Sequence, residues 1–262
     1  MATSEASAIS ATDAAPRGPS VVDDGRVAVR VSPLEGSALI AMALALAWAA
    51  PAEATRAAAP SWVEGAAVTR TAIARARPNR RAHAVQRVWS YTPFSTDDPV
   101  LPVLGHADGG RWLRVRLPER PNGATGWIQA SLTRRVRLGW RITVDLSARA
   151  ATIAHSGRRL RRFSVVIGKP STPTPRGHFF VIDRARLDTW WARGTWALFT
   201  SAYSEFFQAT RYDPGEIALH SRGILPDPPG SAASHGCLRF TQRDIDWLVR
   251  HIPNGTPLDI HR

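Results

Sequence analysis

The C-terminal half of the chain carries two unusual short runs, IALHSRG at residues 217–223 and SHGCLRF at residues 234–240. Cys237 in the second run is the only cysteine of 262 residues, which excludes an internal disulfide framework and a four-cysteine zinc site. A thiol attacks a carbonyl only as the thiolate, so a reactive cysteine needs a base nearby. His220 stands at the end of a predicted strand, and the loop that follows is long enough to fold back. The spacing therefore permits a cysteine–histidine pair.

Three neighbours of the cysteine fit the same chemistry. His235 is a second candidate base, Arg239 points to the same side if the segment is extended, and Gly236 would let a substrate carbonyl approach backbone N–H groups. Two other interpretations stay open. The cysteine could be an inert buried residue among ordinary hydrogen-bonding side chains. Alternatively, the two histidines and the cysteine could bind zinc, which would need Asp227 as a fourth ligand.

The composition is that of a globular protein with a basic surface. Hydrophobic residues make up 44% and charged residues 21%, enough apolar material for a sizeable core. The net charge is +13 with Lys169 as the only lysine, so nearly all the cations are arginines. This charge suits nucleic acid or an anionic polymer such as a cell wall. Because the arginines are scattered and form no nucleic-acid motif, we expect no nucleic-acid partner.

The first 82 residues differ from the rest in composition. Residues 1–54 are predicted to be a disordered leader that ends in a signal-like segment, with the apolar run ALIAMALALAWAA at 38–50 followed by A-E-A. This run is shorter than the roughly 18 apolar residues of a membrane-spanning helix. We therefore expect export to the cell envelope with no integral membrane domain after cleavage, or an anchored protein if the segment is uncleaved. Residues 55–82 are rich in Ala, Arg and Pro and are predicted to be a linker.

Residues 83–134 carry the pattern of a small β-barrel. WLRVRL at 112–117 alternates with period two, and Asn122-Gly123 is typical of a hairpin turn before TGWI at 125–128. The pattern resembles the bacterial SH3-like domains that accompany cell-wall enzymes. Such a unit could bind the wall or act only as a spacer.

Residues 135–262 predict a mostly β domain with one packed helix. The helix spans residues 242–251, with Thr241 as N-cap, Asp244 as its capping partner and Ile245, Leu248 and Val249 as the apolar stripe. The predicted strands lie at residues 141–146, 151–155, 162–167, 178–182, 195–200, 216–220 and 257–261.

Three separated sequence blocks of this domain follow one another along the chain. The first is GKPSTPTPRGHFFV at 168–181, the second is the IALH…SHGCLR pattern of residues 217–239, and the third is NGTPLDI at 254–260. Over residues 139–262 this arrangement resembles the L,D-transpeptidase (YkuD-type) catalytic domain of bacterial cell-wall enzymes. The resemblance implies a β-sandwich built around a cysteine, with a packed helix, and an enzyme that remodels peptidoglycan.

The resemblance also assigns roles by residue. Cys237 matches the nucleophile and His220 the general base, and the carbonyl of Ser221, where many members have glycine, orients the histidine ring. His235 and Gly236 match the SHGC block and complete the predicted catalytic set. The residues implied in substrate binding are Arg239, which would bind a carboxylate or shape the pocket, Ser234, Gly177, Trp190 and Trp191. The two tryptophans belong to the insert DTWWARGTW at 188–196, which could line the cleft or pack in the core.

The implied reaction is acyl transfer without a metal or organic cofactor. The cysteine would take the acyl group of a tetrapeptide stem of peptidoglycan, release D-alanine and pass the acyl group to an amine, which forms a 3→3 cross-link. Water as acceptor would instead give L,D-carboxypeptidase activity. A non-catalytic wall-binding protein and a polyanion binder are the alternatives from other functional classes.

Overall fold

The computed structural model describes residues 61–187, 194–206 and 215–262, all within one compact unit, Thr55–Arg262. The described residues form β-strands and a single α-helix, which confirms the prediction of a mainly β protein with one helix. Within these three ranges, no helix is both long and apolar enough to cross a membrane. The predicted leader and its apolar run at 38–50 lie outside the described residues.

The first sheet has seven strands in the order β3-β2-β6-β5-β4-β1-β7. Their bounds are β1 Val63–Val68, β2 Ala72–Arg75, β3 Ala84–Val88, β4 Val100–Ala107, β5 Trp112–Arg116, β6 Thr125–Gln129 and β7 Thr133–Leu138. The predicted alternation in β5 is present, since Leu113 and Val115 are buried on one side of a sheet that pairs β5 with β4 and β6. The SH3-like character of this part of the chain stays a prediction.

The structure corrects two boundaries of the predicted organisation. The linker predicted over residues 55–82 is wrong from Val63 onward, because β1 and β2 are strands whose alanines are buried in the core of the first sheet. Alanine buries little area per residue, so such strands lack the alternation of large apolar side chains that marks a strand in sequence. At the other end, β7 pairs with β1, so the first sheet runs to Leu138 and past the predicted end at residue 134.

The second sheet has eight strands in the order β10-β9-β8-β17-β12-β13-β14-β16. Their bounds are β8 Trp140–Asp145, β9 Ala150–His155, β10 Arg158–Ser164, β12 Gly177–Arg186, β13 Trp196–Tyr203, β14 Glu216–Ser221, β16 Leu238–Phe240 and β17 Pro257–His261. Two short parallel strands, β11 Ile167–Gly168 and β15 Ala232–Ser234, pair beside it.

The helix α1, Gln242–His251, follows β16 directly and begins where the sequence predicts. The Thr241 hydroxyl accepts the backbone N–H of Asp244 at 3.3 Å, which satisfies one of the first helical donors. Ile245 and Leu248 are fully buried in one hydrophobic cluster with residues of β13, β14 and β16. One face of the second sheet is therefore covered by α1.

The first sheet packs against β12 and β13 of the second. Phe180 of β12 is 1% exposed and belongs to the hydrophobic core of the first sheet. Asn122 exchanges two hydrogen bonds of 2.8 Å with the backbone of Tyr203, and the Tyr203 hydroxyl donates to the carbonyl of Pro118 at 3.1 Å. Apolar burial and hydrogen bonds from side chains to the backbone together fix the two sheets against each other.

Candidate functional site

The cysteine and histidine predicted to form a pair lie on neighbouring parallel strands. β14 pairs with β16 so that Leu219 is opposite Leu238 and His220 is opposite Arg239. Cys237 comes one residue before β16, and its Sγ accepts the backbone N–H of Ala218 at 3.5 Å. Because side chains alternate between the faces of a sheet, Cys237, His220 and Arg239 project from the same face. This face is opposite the one that α1 covers.

Cys237 is a partly exposed residue, and its sulfur lies beside β14. Its Sγ lies 4.0 Å from the carbonyl oxygen of Glu216 and 3.5 Å from the nitrogen of Ala218. Partial exposure lets a substrate reach the sulfur, whereas a fully buried thiol would be inert. The structure therefore does not support the alternative of an inert core cysteine.

His220 is held by its own strand. His220 is 4% exposed, and its Nδ1 lies 2.7 Å from the carbonyl oxygen of Ser221. Since a carbonyl only accepts, Nδ1 carries the proton and Nε2 carries the lone pair. Burial lowers the pKa of His220 to about 4, the Ser221 carbonyl partly offsets this shift, and the charge of Arg239 adds to it. The imidazole is therefore neutral at pH 7 and able to accept a proton.

The loop that carries the cysteine is held by hydrogen bonds of two side-chain hydroxyls, those of Ser234 and Thr174. The Ser234 hydroxyl donates to the carbonyl of Cys237 at 2.6 Å and accepts the N–H of Gly236 at 3.1 Å. Thr174 donates to the carbonyl of Gly236 at 2.7 Å and accepts the N–H of Gly168 at 2.9 Å. Gly236 has φ +118°, and a Cβ there would lie 2.9 Å from Cδ1 of Ile217. Glycine is required at this position by both conformation and space.

These contacts change the role predicted for Gly236. Its N–H is donated to the hydroxyl of Ser234 within the loop. Ser234, which the sequence places among substrate-binding residues, is fully buried and holds the loop instead. Thr174 lies in the TPTP run of residues 172–175, and the sequence reasoning misses it as a site residue. The sequence does contain a signal for this role, because a threonine hydroxyl between two prolines can hydrogen-bond to a neighbouring backbone segment.

Arg239 forms an ion pair with the carboxylate of Asp227, and both side chains are largely buried. The carbonyl of Asp227 accepts a second arginine, Arg222, at 2.9 Å. The guanidinium of Arg239 is thus engaged within the protein, which favours shaping of the pocket over binding of a substrate carboxylate. Asp227 is occupied in this ion pair, and among the described residues no group of three His, Cys, Asp or Glu could hold a metal ion.

His235 is exposed and faces the only lysine. Nε2 of His235 lies 3.2 Å from Nζ of Lys169, and the backbone N–H of Lys169 donates to the carbonyl of Ser234 at 2.9 Å. The structure thus places His235 on the surface, two residues before Cys237 and in contact with Lys169. Lys169 belongs to the GKPSTPTPRGHFFV block, and the sequence reasoning misses it as well.

The remaining predicted residues lie elsewhere. Gly177 begins β12, where it pairs with Ile260 of β17, two strands away from β14 in the sheet. Trp190 and Trp191 lie outside the described residues. The structure therefore brings together Cys237, His220, Ser221, Ser234, His235, Gly236 and Arg239.

A thiol and a neutral imidazole on one sheet face, held by a locked glycine turn, define a cysteine–histidine site suited to acyl transfer. Residues 139–260 match the family model of the L,D-transpeptidase catalytic domain, YkuD. This match confirms the resemblance to that catalytic domain, and the predicted strands around the site fall within it.

Individual relatives agree with this family. The putative L,D-transpeptidase YkuD of Bacillus subtilis (strain 168) is 28% identical over 123 residues, which are 47% of this chain and 66% of that protein. The L,D-transpeptidase 1 of Mycobacterium tuberculosis (strain ATCC 25618 / H37Rv) is 23% identical over 187 residues, 61% of this chain and 74% of that protein. A solved L,D-transpeptidase from Mycobacterium smegmatis aligns with 15% identity and a TM-score of 0.38, covering 63% of this chain and 91% of that one. The match spans just under two thirds of the Bacillus relatives' length, 66% and 65%.

Proposed function

We propose that the protein is a peptidoglycan L,D-transpeptidase that uses Cys237 as nucleophile and His220 as general base. The observation that carries this proposal is the placement of both groups on one face of adjacent strands, with His220 Nδ1 fixed by the Ser221 carbonyl. This contact leaves Nε2 as the atom that accepts the thiol proton. Ser221 acts through its main chain, so serine in place of the family's usual glycine keeps this function.

The first half of the reaction forms a thioester. The Cys237 sulfur attacks the carbonyl of the third residue of a stem tetrapeptide, while the thiol proton moves to Nε2 of His220. The C–N bond to D-alanine then breaks, and the departing amine takes that proton from the imidazolium. Because burial keeps the imidazole neutral, Nε2 of His220 can take the thiol proton as the sulfur attacks. We assign the oxyanion to backbone N–H groups of the turn around Cys237 other than that of Gly236.

The second half transfers the acyl group. An amine from the third residue of a neighbouring stem attacks the thioester carbonyl, loses its proton to His220 and expels the Cys237 sulfur, which is reprotonated. The product is a 3→3 cross-link. Incubation of the protein with a defined tetrapeptide donor, with and without an amine acceptor, tests this step by analysis of the products. Cross-linked product supports transpeptidation, and D-alanine release to a tripeptide alone would show an L,D-carboxypeptidase.

The nucleophile is tested by covalent labelling. Carbapenems acylate enzymes of the family that the sequence resembles, so we expect intact-mass spectrometry to show one carbapenem adduct on the wild type. The chain has no second cysteine, so the adduct must vanish in Cys237→Ala. The Trp62→Ala variant changes an exposed residue outside the site and should keep the adduct. A wild type that stays unmodified after prolonged incubation would contradict the assignment of Cys237.

Export to the cell envelope is part of the same proposal. It is supported by the apolar run at 38–50 and by a net charge of +13, which suits an anionic wall. Cell fractionation should find the protein outside the cytoplasm, and deletion of residues 38–50 should retain it inside. Binding to purified wall sacculi that Cys237→Ala preserves, without any change of wall peptides by the wild type, would favour the non-catalytic alternative.

A further inference from the structure

The segment that joins β3 to β4 of the first sheet lies on the same face of the second sheet as Cys237. The buried carboxylate of Asp183 in β12 accepts the N–H of Phe94 at 2.7 Å, the N–H of Ser95 at 3.2 Å and the Ser95 hydroxyl at 2.5 Å. Asp183 is 0% exposed. A buried carboxylate is tolerated only when it is fully hydrogen-bonded, so these donors fix the segment firmly on β12.

The fixed segment ends in an aromatic contact. The ring centroids of Phe94 and Phe199 of β13 lie 4.5 Å apart, and the angle between the ring planes is 30°. Phe94 is nevertheless 51% exposed, and Phe199 is partly buried. An exposed aromatic ring held rigid by backbone hydrogen bonds costs little entropy when it binds a ligand. We call Phe94 and Phe199 the aromatic pair.

The strand register relates the aromatic pair to the thiol. Asp183 is opposite Phe199, and Phe199 is opposite Ala218, whose N–H contacts the sulfur of Cys237. Residues directly opposite each other in a sheet share a face, so the aromatic pair and the thiol lie on one face, two strands apart. At about 4.8 Å per strand, the separation is about 10 Å. Ala218 between them has a small side chain and is 7% exposed.

The dimensions fit a short peptide. A peptide of four residues spans about 13 Å when extended, so a stem whose third carbonyl lies at Cys237 can place its first two residues over Ala218 and the aromatic pair. We propose that the aromatic pair is a subsite for the apolar part of the donor stem on the amino-terminal side of the reacting carbonyl. This inference rests on the proposed function. The segment between β3 and β4 would then contribute to substrate binding.

The test compares two donors in the full-length protein. Phe94→Ala should raise KM for the tetrapeptide about tenfold with little change in kcat, because it removes contacts made equally before and during reaction. The same variant should leave KM unchanged for a shorter donor that consists only of the third and fourth residues. Phe94→Tyr should restore the tetrapeptide KM, and the exposed Trp62→Ala should change neither donor.

The two proposals fail in different ways. A wild type that turns over the tetrapeptide, together with an unchanged KM in Phe94→Ala, would overturn the subsite and leave the enzyme assignment intact. An equal loss of kcat for both donors would also overturn it, because it would show a structural effect. If the wild type has no activity, calorimetry can compare tetrapeptide binding to Cys237→Ala and to the double variant Cys237→Ala/Phe94→Ala. Tenfold weaker binding to the double variant supports the subsite, and equal binding refutes it.

Discussion

His220 couples the chemistry of the site to the stability of the fold. Burial lowers its pKa to about 4, whereas an unfolded histidine titrates near its ordinary value of 6.5. As the pH falls from 6.5 to 4, the unfolded chain binds a proton that the native site refuses, so the native state loses stability. From about 1.4 kcal/mol per pKa unit, the loss is on the order of 3 kcal/mol. Above pH 6.5 the native and unfolded states are equally neutral at this group, and the effect is absent.

Urea unfolding at pH 7 and pH 4.5 measures this loss. In His220→Asn the part of the pH dependence that belongs to this residue should disappear, whereas the exposed His83→Gln should keep it. An identical pH slope in wild type and His220→Asn would contradict burial of His220 as the origin of the loss. For activity, we expect the acid limb of kcat/KM to fall well below pH 6.5, because the base stays neutral to about pH 4.

Gly236 is the residue at which conformation and space are both restrictive. Its φ of +118° and the 2.9 Å that a Cβ would leave to Ile217 mean that Gly236→Ala must strain the turn carrying the nucleophile. We expect a loss of about 1–3 kcal/mol in the free energy of unfolding and a lower kcat. Adding Ile217→Val relieves the contact but not the φ, so it should restore only part of the stability. Full restoration would show that crowding alone matters.

Residue types near the thiol are predictable from the sequence, but their partners are not. Cys237 and His220 stand out by their chemistry and by the strand that ends at the histidine. The ion pair of Arg239 with Asp227 joins residues twelve positions apart across a Pro- and Gly-rich loop, and no local pattern specifies how such a loop folds. For the same reason, the sequence predicts that Ser234 touches substrate, although this residue holds the loop.

At the scale of elements, Thr174 connects the segment after β11 to the turn before β16. Thr174→Val removes the hydroxyl shared by the carbonyl of Gly236 and the N–H of Gly168, and it leaves both buried groups unpaired. We expect a loss of about 1–3 kcal/mol in unfolding free energy and a fall in kcat. Thr174→Ser keeps the hydroxyl and should retain most of both. Thermal unfolding and steady-state kinetics of the two variants test this expectation. Equal stability and equal kcat in Thr174→Val and Thr174→Ser would contradict the role of the hydroxyl.

The strands and the helix are predictable to different degrees. α1 has a capping threonine, an acidic first turn and an apolar stripe, which are all local signals, and the structure places it at the predicted residues. β1 and β2 have no comparable signal, because alanine-rich strands gain their stability from partners distant in sequence. β16 has only three residues, and its pairing with β14 depends on tertiary contacts.

At the scale of the whole molecule, Phe180 makes the two sheets depend on each other. The residue belongs to β12 of the second sheet, but its side chain completes the core of the first. Phe180→Ala should therefore cost about 3–5 kcal/mol and lower the unfolding midpoint of both sheets together. Denaturation followed by tryptophan fluorescence and by circular dichroism should give coincident curves in wild type and variant. Two separated transitions in the wild type would contradict this coupling.

The position of Lys169 has a practical consequence for chemical biology. It is the only lysine of the chain, and its ammonium group faces His235, two residues before Cys237. An amine-directed reagent such as an activated ester can therefore modify only this side chain and the chain's α-amino group. A fluorophore attached at Lys169 would sit beside the cysteine loop and report occupancy of the site without an engineered handle.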